Sequence, residues 1–109
     1  MKRPSFDLYR RIGWQPRVDV YRCNEGWLVK AELAGVTIQD IRIEVSGNSL
    51  IIEGQRKDWC VPDTTESLSM EITYDWFQRA IQLPDVILAE DVRTDYREGM
   101  LLIYLSNKS

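Results

Sequence analysis

The chain has 109 residues, a net charge of −3 from 14 basic and 17 acidic side chains, and no histidine. That length suits one domain, which buries roughly two thirds of its unfolded surface and folds without disulfides or metal. Without histidine the usual general base, the Ser-His-Asp and Cys-His arrangements and the commonest transition-metal ligand are gone, and a net negative chain is no general nucleic-acid binder.

Residues 1–16 form a short N-terminal arm. Phe6, Tyr9, Ile12 and Trp14 recur at roughly helical spacing over a stretch too short to hold as an isolated helix, so the arm needs something to pack on. Residues 1–22 carry six basic side chains (Lys2, Arg3, Arg10, Arg11, Arg17, Arg22) and two acidic ones (Asp7, Asp19), giving +4 there and −7 for the remainder. Such an arm either contacts acidic partners or folds back on its own acidic body.

From residue 17 onward the apolar period is mostly two, the period of a strand. Val18, Val20 and Arg22 alternate with Asp19, Tyr21 and Cys23, and Asn24-Glu25-Gly26 gives a hairpin signal before Trp27, Val29, Ala31 and Leu33 take one face. Ile41, Ile43 and Val45 alternate with Arg42 and Glu44, and Leu50 and Ile52 follow the turn Ser46-Gly47-Asn48. Phe77, Ile81 and Leu83 mark a strand that Pro84 ends. Val92, Thr94 and Tyr96 mark the next, and Glu98-Gly99 turns it into Met100–Leu105, apolar on both faces as for a strand covered on both sides. Only single helical turns fit between 34 and 41 and between 84 and 91. Seven or so short strands with turns between them predict an all-β fold, an immunoglobulin-like antiparallel β-sandwich.

Chemistry is scarce along this pattern. None of the six glycines belongs to a GxxxxGK[ST] or GxGxxG motif, so no phosphate-cradling loop and no ATP hydrolysis are expected. Glu32, Glu44 and Glu53 occupy outward strand positions, the ordinary solvated face of a half-buried sheet. No enzyme activity and no cofactor are predicted. Cys23 and Cys60, without a CxxC, read as free thiols in a reducing compartment. No apolar run nears the roughly 20 residues of a membrane span, and the N-terminus lacks an apolar signal core, so a soluble, cytoplasmic chain without membrane partners is expected.

The loop at 57–73 is unusual. Fourteen residues separate Arg56 from Glu71, and a structureless loop of that length asks for a functional account. Leu68, Met70 and Ile72 face opposite Ser69 and Glu71, so the tip could be a strand that adds to the edge of a second chain, making a symmetric dimer. It could equally be an edge strand lying back on its own domain, or a mobile loop.

From Trp14 to Leu105 the chain resembles the α-crystallin domain of the small heat-shock protein (Hsp20) family. Trp14-Gln15-Pro16 with Val18-Asp19-Val20 looks like its opening strand, and Ala31-Glu32-Leu33-Ala34-Gly35-Val36 like its "AELPGV" segment, with Ala34 for the usual proline. Asp40-Ile41 and Leu50-Ile51-Ile52-Glu53-Gly54-Gln55-Arg56 match the next two strands in order. Phe77-Gln78-Arg79 with Leu83-Pro84 is similar to "FxR…LP", although Asp75 replaces a usual glycine, and Gly99-Met100-Leu101 falls at "GVL". Thr94 takes a common alanine position.

The resemblance places the domain at 17–109 and implies an ATP-independent holdase for partly unfolded proteins. It favours the bacterial and plant-type arrangement, in which a loop like 57–73 (Trp59, Leu68, Met70, Glu71, Ile72) exchanges a strand with a partner subunit. The receiving edge would be Val18, Asp19, Val20 and Tyr21, in a homodimer or small oligomer. It places a client groove between Ile41, Ile43 and Val45 on one strand and Thr94 and Tyr96 on another, although these side chains could instead fill the core. Phe6, Tyr9, Ile12 and Trp14 are a second client surface, or a cover for the groove. No C-terminal extension with an I-x-I motif follows Leu105, so cages assembled through tails are not expected. A p23/CS-like adaptor for a partner such as an Hsp90-type chaperone, and an assembly subunit for a longer small heat-shock protein, are the alternative readings.

Overall fold

The computed structural model describes residues 12–59 and 61–107. In chain order the strands are β1 (Ile12–Trp14), β2 (Val18–Cys23), β3 (Gly26–Glu32), β4 (Ile41–Ser46), β5 (Ser49–Gln55), β6 (Trp76–Gln82), β7 (Arg93–Arg97) and β8 (Met100–Ser106). They form two four-stranded sheets, ordered β1-β6-β5-β4 and β2-β3-β8-β7. The sheets pack as the expected sandwich, and single 3-10 turns fill Ile38–Asp40 and Ala89–Asp91.

The alternation sorts side chains as it should. Trp27, Val29, Ala31 and Leu33 are buried, and Leu50, Ile52, Phe77, Ile81, Leu101, Ile103 and Leu105 meet them from the other central strands. Phe77, with no exposed surface, contributes about 1.5–3 kcal/mol by burial alone. The β7–β8 hairpin turns on Glu98 (φ 54°) and Gly99 (φ 79°), the paired left-handed residues of a type I′ turn, which matches strand twist. Gly54 is a glycine for a different reason: a Cβ there would lie 2.1 Å from the Asp40 carbonyl oxygen and 2.9 Å from Phe77 Cζ.

Three local expectations give way to packing. Helical spacing near Ile12 and Trp14 does not become helix, because 12–14 pairs in parallel with β6. There Trp14 meets the Phe77 ring edge-on, with centroids 5.4 Å apart and planes at 80°, a favoured aromatic geometry that outweighs a local period. Second, β8 is covered fully on one face only. Leu101, Ile103 and Leu105 are buried, whereas Met100, Leu102 and Tyr104 are half-buried, sheltered by long neighbours such as Arg93, whose guanidinium lies 5.7 Å from the Tyr104 ring centroid. Third, Glu53 does not share the solvated condition of Glu32 and Glu44. It is 1% exposed, although it points outward from the middle of its sheet with Arg42 and Gln78 as row-mates.

The link between β1 and β2 is three residues long. So short a connection stacks the β1 edge of one sheet over the β2 edge of the other and leaves β4 and β7 as the two edges on the opposite flank.

Candidate functional site

The candidate surfaces lie on these two flanks and on the loop between β5 and β6. On the first flank, β2 pairs with β3 alone among the described residues. Its second backbone side is an open row of donors and acceptors, the arrangement to which another strand adds. Val18 is half-buried and Asp19 exposed. Val20 and Tyr21 are 46% and 44% exposed. The Tyr21 hydroxyl donates to Asp19 Oδ2 at 3.4 Å, and Lys30 Nζ lies 5.3 Å from the Tyr21 ring centroid.

The loop at 57–73 carries no strand among its described residues, which exclude Cys60, and all of those residues are exposed. The alternation of Leu68, Met70 and Ile72 therefore has no partner strand among the described residues, and an isolated strand has nothing to hold it. Leu68 is 91% exposed, Ile72 60%, Met70 59% and Trp59 66%. Glu71 is exposed as well. Trp59 folds toward the body, donating from Nε1 to the Gly35 carbonyl at 3.2 Å. A recess of about 330 Å³ lies under it, lined by Gly35, Arg56, Ile72 and Tyr74 among others.

The stem of this loop is tied down by Arg56, which the sequence marks as a loop boundary and a family residue but not as a clamp. Its amide donates to the Asp75 carbonyl at 3.0 Å. Its Nε donates to the Thr73 carbonyl at 2.9 Å and its Nη1 to the Ala34 carbonyl at 3.1 Å. The guanidinium carbon sits 3.7 Å from the Trp14 ring centroid. One side chain thus joins the loop stem, the turn after β3 and the strand that leads out of the arm. Arginine alone has the planar fork for this, since it donates in two directions while its face stacks on an indole. The local signal was its place as the first residue beyond β5, but none of its side-chain partners lies nearer than 17 residues in sequence.

On the second flank, Ile41, Ile43 and Val45 of β4 point inward and are half-buried against the core, as is Tyr96 of β7, while Thr94 is exposed. The Tyr96 hydroxyl lies 2.7 Å and 2.8 Å from the carbonyl oxygens of Leu33 and Val36, which fixes the ring at the end of the sandwich. The two strands are edge strands of their respective sheets. Of the arm, Trp14 is half-buried and belongs to the body through Phe77 and Arg56. Phe6, Tyr9 and the side chain of Ile12 lie outside the described residues.

Among the described residues no group of His, Cys, Asp and Glu is arranged to hold a metal ion, and no helix is long and apolar enough to cross a membrane. Cys23 is an exposed free thiol.

Known proteins converge on this architecture. Heat shock protein 16.0 from Schizosaccharomyces pombe superposes with a TM-score of 0.80 at 24% identity, covering 89% of this chain and 92% of that one. HspA from Xanthomonas axonopodis superposes with a TM-score of 0.75 at 28% identity, covering 88% and 96%. In sequence, small heat shock protein C2 of Rickettsia felis is 29% identical over 93 residues, which are 85% of this chain and 60% of that protein. Spore protein SP21 of Stigmatella aurantiaca is 27% identical over 93 residues, 85% of this chain and 55% of its own. The chain therefore spans little more than half the length of these relatives. The pattern of the Hsp20/alpha crystallin family matches residues 19–109, from the open edge of β2 through β8. With both the sandwich and that match in hand, the chain belongs to the Hsp20/alpha crystallin family.

Proposed function

We propose that this chain is an ATP-independent holdase that binds partly unfolded proteins and suppresses their aggregation, working as a homodimer or small oligomer. In this reading residues 57–73 of one subunit, through Leu68, Met70 and Ile72, lay a strand along β2 of the other. The observation that carries the reading is the complementarity of two surfaces of one chain. An open edge at Val18–Tyr21 and an alternating apolar loop tip, Leu68 being 91% exposed, each have what the other needs, since strand addition satisfies the edge and covers the tip. Clients would enter the opening between β4 and β7, against Ile41, Ile43, Val45, Thr94 and Tyr96, where apolar surface is sheltered without being sealed. Phe6, Tyr9 and Ile12 would add a second apolar contact from the arm.

The test is light scattering from a heat-labile enzyme warmed in nucleotide-free buffer with and without an excess of this chain, beside sedimentation of the chain alone. Suppressed scattering with a dimeric sedimentation coefficient is the expected result. Unimpeded aggregation would refute the holdase, and suppression only when a longer small heat-shock protein is added would make the chain an assembly subunit.

A further inference from the structure

We propose that the turn at 33–36 is a junction linking the loop at 57–73 to the β4–β7 flank, so that drawing the loop away loosens the hold on Tyr96. What the link accomplishes rests on the proposed strand exchange and client binding. The link itself lies within one subunit and is tested without either.

The turn follows β3 and closes through the Val36 amide, which donates to the Leu33 carbonyl at 3.1 Å. Of its two central residues only Gly35 has a positive φ, 82°, which makes this a type II turn with glycine at the position that needs it. Each carbonyl from Leu33 to Val36 accepts a hydrogen bond from a side chain elsewhere in the fold. The Tyr96 hydroxyl shares its proton between Leu33 and Val36, at 2.7 Å and 2.8 Å. Arg56 Nη1 donates to Ala34 at 3.1 Å, and Trp59 Nε1 to Gly35 at 3.2 Å. The Leu33 amide in its turn donates to the Gly99 carbonyl at 2.7 Å, on the hairpin that carries Tyr96. The loop is held by the middle of the turn, and β7 by its ends.

Rigid peptide planes make these contacts interdependent. Each peptide unit moves as one plane, so the directions of the carbonyls from Leu33 to Val36 follow from a handful of soft dihedrals. Opening the turn swings them away from their donors together, and each donor lost makes opening easier. Closed and open turn are the two states, and loop and flank both bias that equilibrium, as an energetic link requires. A subunit whose loop lies on a partner edge has withdrawn Trp59 from Gly35. Its turn opens more readily, and the Tyr96 ring gains freedom to make way for a client. Coupling is reciprocal, so a client that displaces Tyr96 favours release of the loop to a partner by the same factor.

Two hydrogen-exchange reporters in the full chain, compared at equal protein concentration, test the link. The indole N–H of Trp59 reads the loop side, and the Leu33 amide, bonded to Gly99, reads the side of β7. Tyr96→Phe removes only the hydroxyl, which bonds to the turn and not to the loop. It should speed exchange of the Trp59 indole about fivefold, the loss of one net hydrogen bond. Trp59→Phe, at a position 66% exposed, should speed exchange of the Leu33 amide by a similar factor, with circular dichroism confirming an intact sandwich. Gly35→Ala has room for its methyl, whose nearest neighbour is Arg56 Cδ at 3.5 Å, but strains the closed turn through its φ and should speed both reporters together about tenfold. An indole rate unmoved by Tyr96→Phe, a Leu33 amide unmoved by Trp59→Phe, or reporters that part company in Gly35→Ala would each overturn the proposal. A chain that neither dimerises nor suppresses aggregation would refute the proposed function instead and leave these rates as expected.

Discussion

Truncating Arg56 removes three contacts at once, and its cost can be worked out from them. The side chain gives a hydrogen bond to Thr73 at 2.9 Å, another to Ala34 at 3.1 Å and a stack on Trp14 at 3.7 Å. At a half-buried position each hydrogen bond is worth about 1 kcal/mol net and the stack about 0.5–1 kcal/mol. Regained side-chain freedom offsets about 1 kcal/mol of this. Arg56→Ala should therefore cost about 2 kcal/mol, and at this chain length lower the melting temperature by roughly 8 °C. Urea unfolding of wild type and variant, each at several protein concentrations, separates this from any change in assembly. Amide exchange adds position. Protection should fall at Arg56, whose amide bonds to the Asp75 carbonyl, and at Val36 in the turn after β3, while the centre of β3 stays protected. Arg56→Lys keeps the charge but not the fork and should recover less than half the loss. An unchanged urea midpoint for Arg56→Ala together with unchanged exchange at those amides would refute the reasoning.

Gly54→Ala should be far more damaging than its one added methyl suggests, costing about 3 kcal/mol or more as an overpacked site, because the Asp40 carbonyl oxygen 2.1 Å from the new Cβ is backbone and cannot rotate aside; thermal melting by circular dichroism checks it. Val20→Lys, at a position 46% exposed, should leave monomer stability within about 0.5 kcal/mol while weakening dimerisation at least tenfold in sedimentation, and an unaltered dimer would count against β2 as the receiving edge. Thr94→Lys places a charge at an exposed position on the β4–β7 flank and should reduce binding of an unfolded, fluorescently labelled client with no loss of fold; undiminished binding would return Ile41, Ile43 and Val45 to a purely structural role.

The sandwich was legible because β3 and β4 write their burial into a period of two, with Gly47 and Gly99 marking turns that need a positive φ. Each of those signals is local. The features that escaped are those decided at long range. Trp14 looks helical until the ring of Phe77 is placed beside it, 63 positions later in the chain. Glu53 reads as a surface carboxylate, because strand parity says which face it takes and nothing about what covers that face. At the candidate surfaces the loop tip and the β2 edge could be read as exposed, since exposure follows from alternation and length. The clamp at Arg56 could not, because it joins elements that only the folded topology brings together.

The loop stem has a consequence for how subunits would trade places. β5 and β6 are hydrogen-bonded neighbours along their full lengths, from Ser49–Gln82 to Gln55–Trp76, and the ladder is closed just beyond by Arg56 and Asp75. An exchanging tip therefore borrows no strand from the sandwich it leaves. In the proposed exchange, detachment would break the few edge bonds made with a neighbour and none within the donor, so its activation enthalpy should be far below the tens of kcal/mol of global unfolding. Warming would then quicken partner exchange well before either sandwich begins to melt.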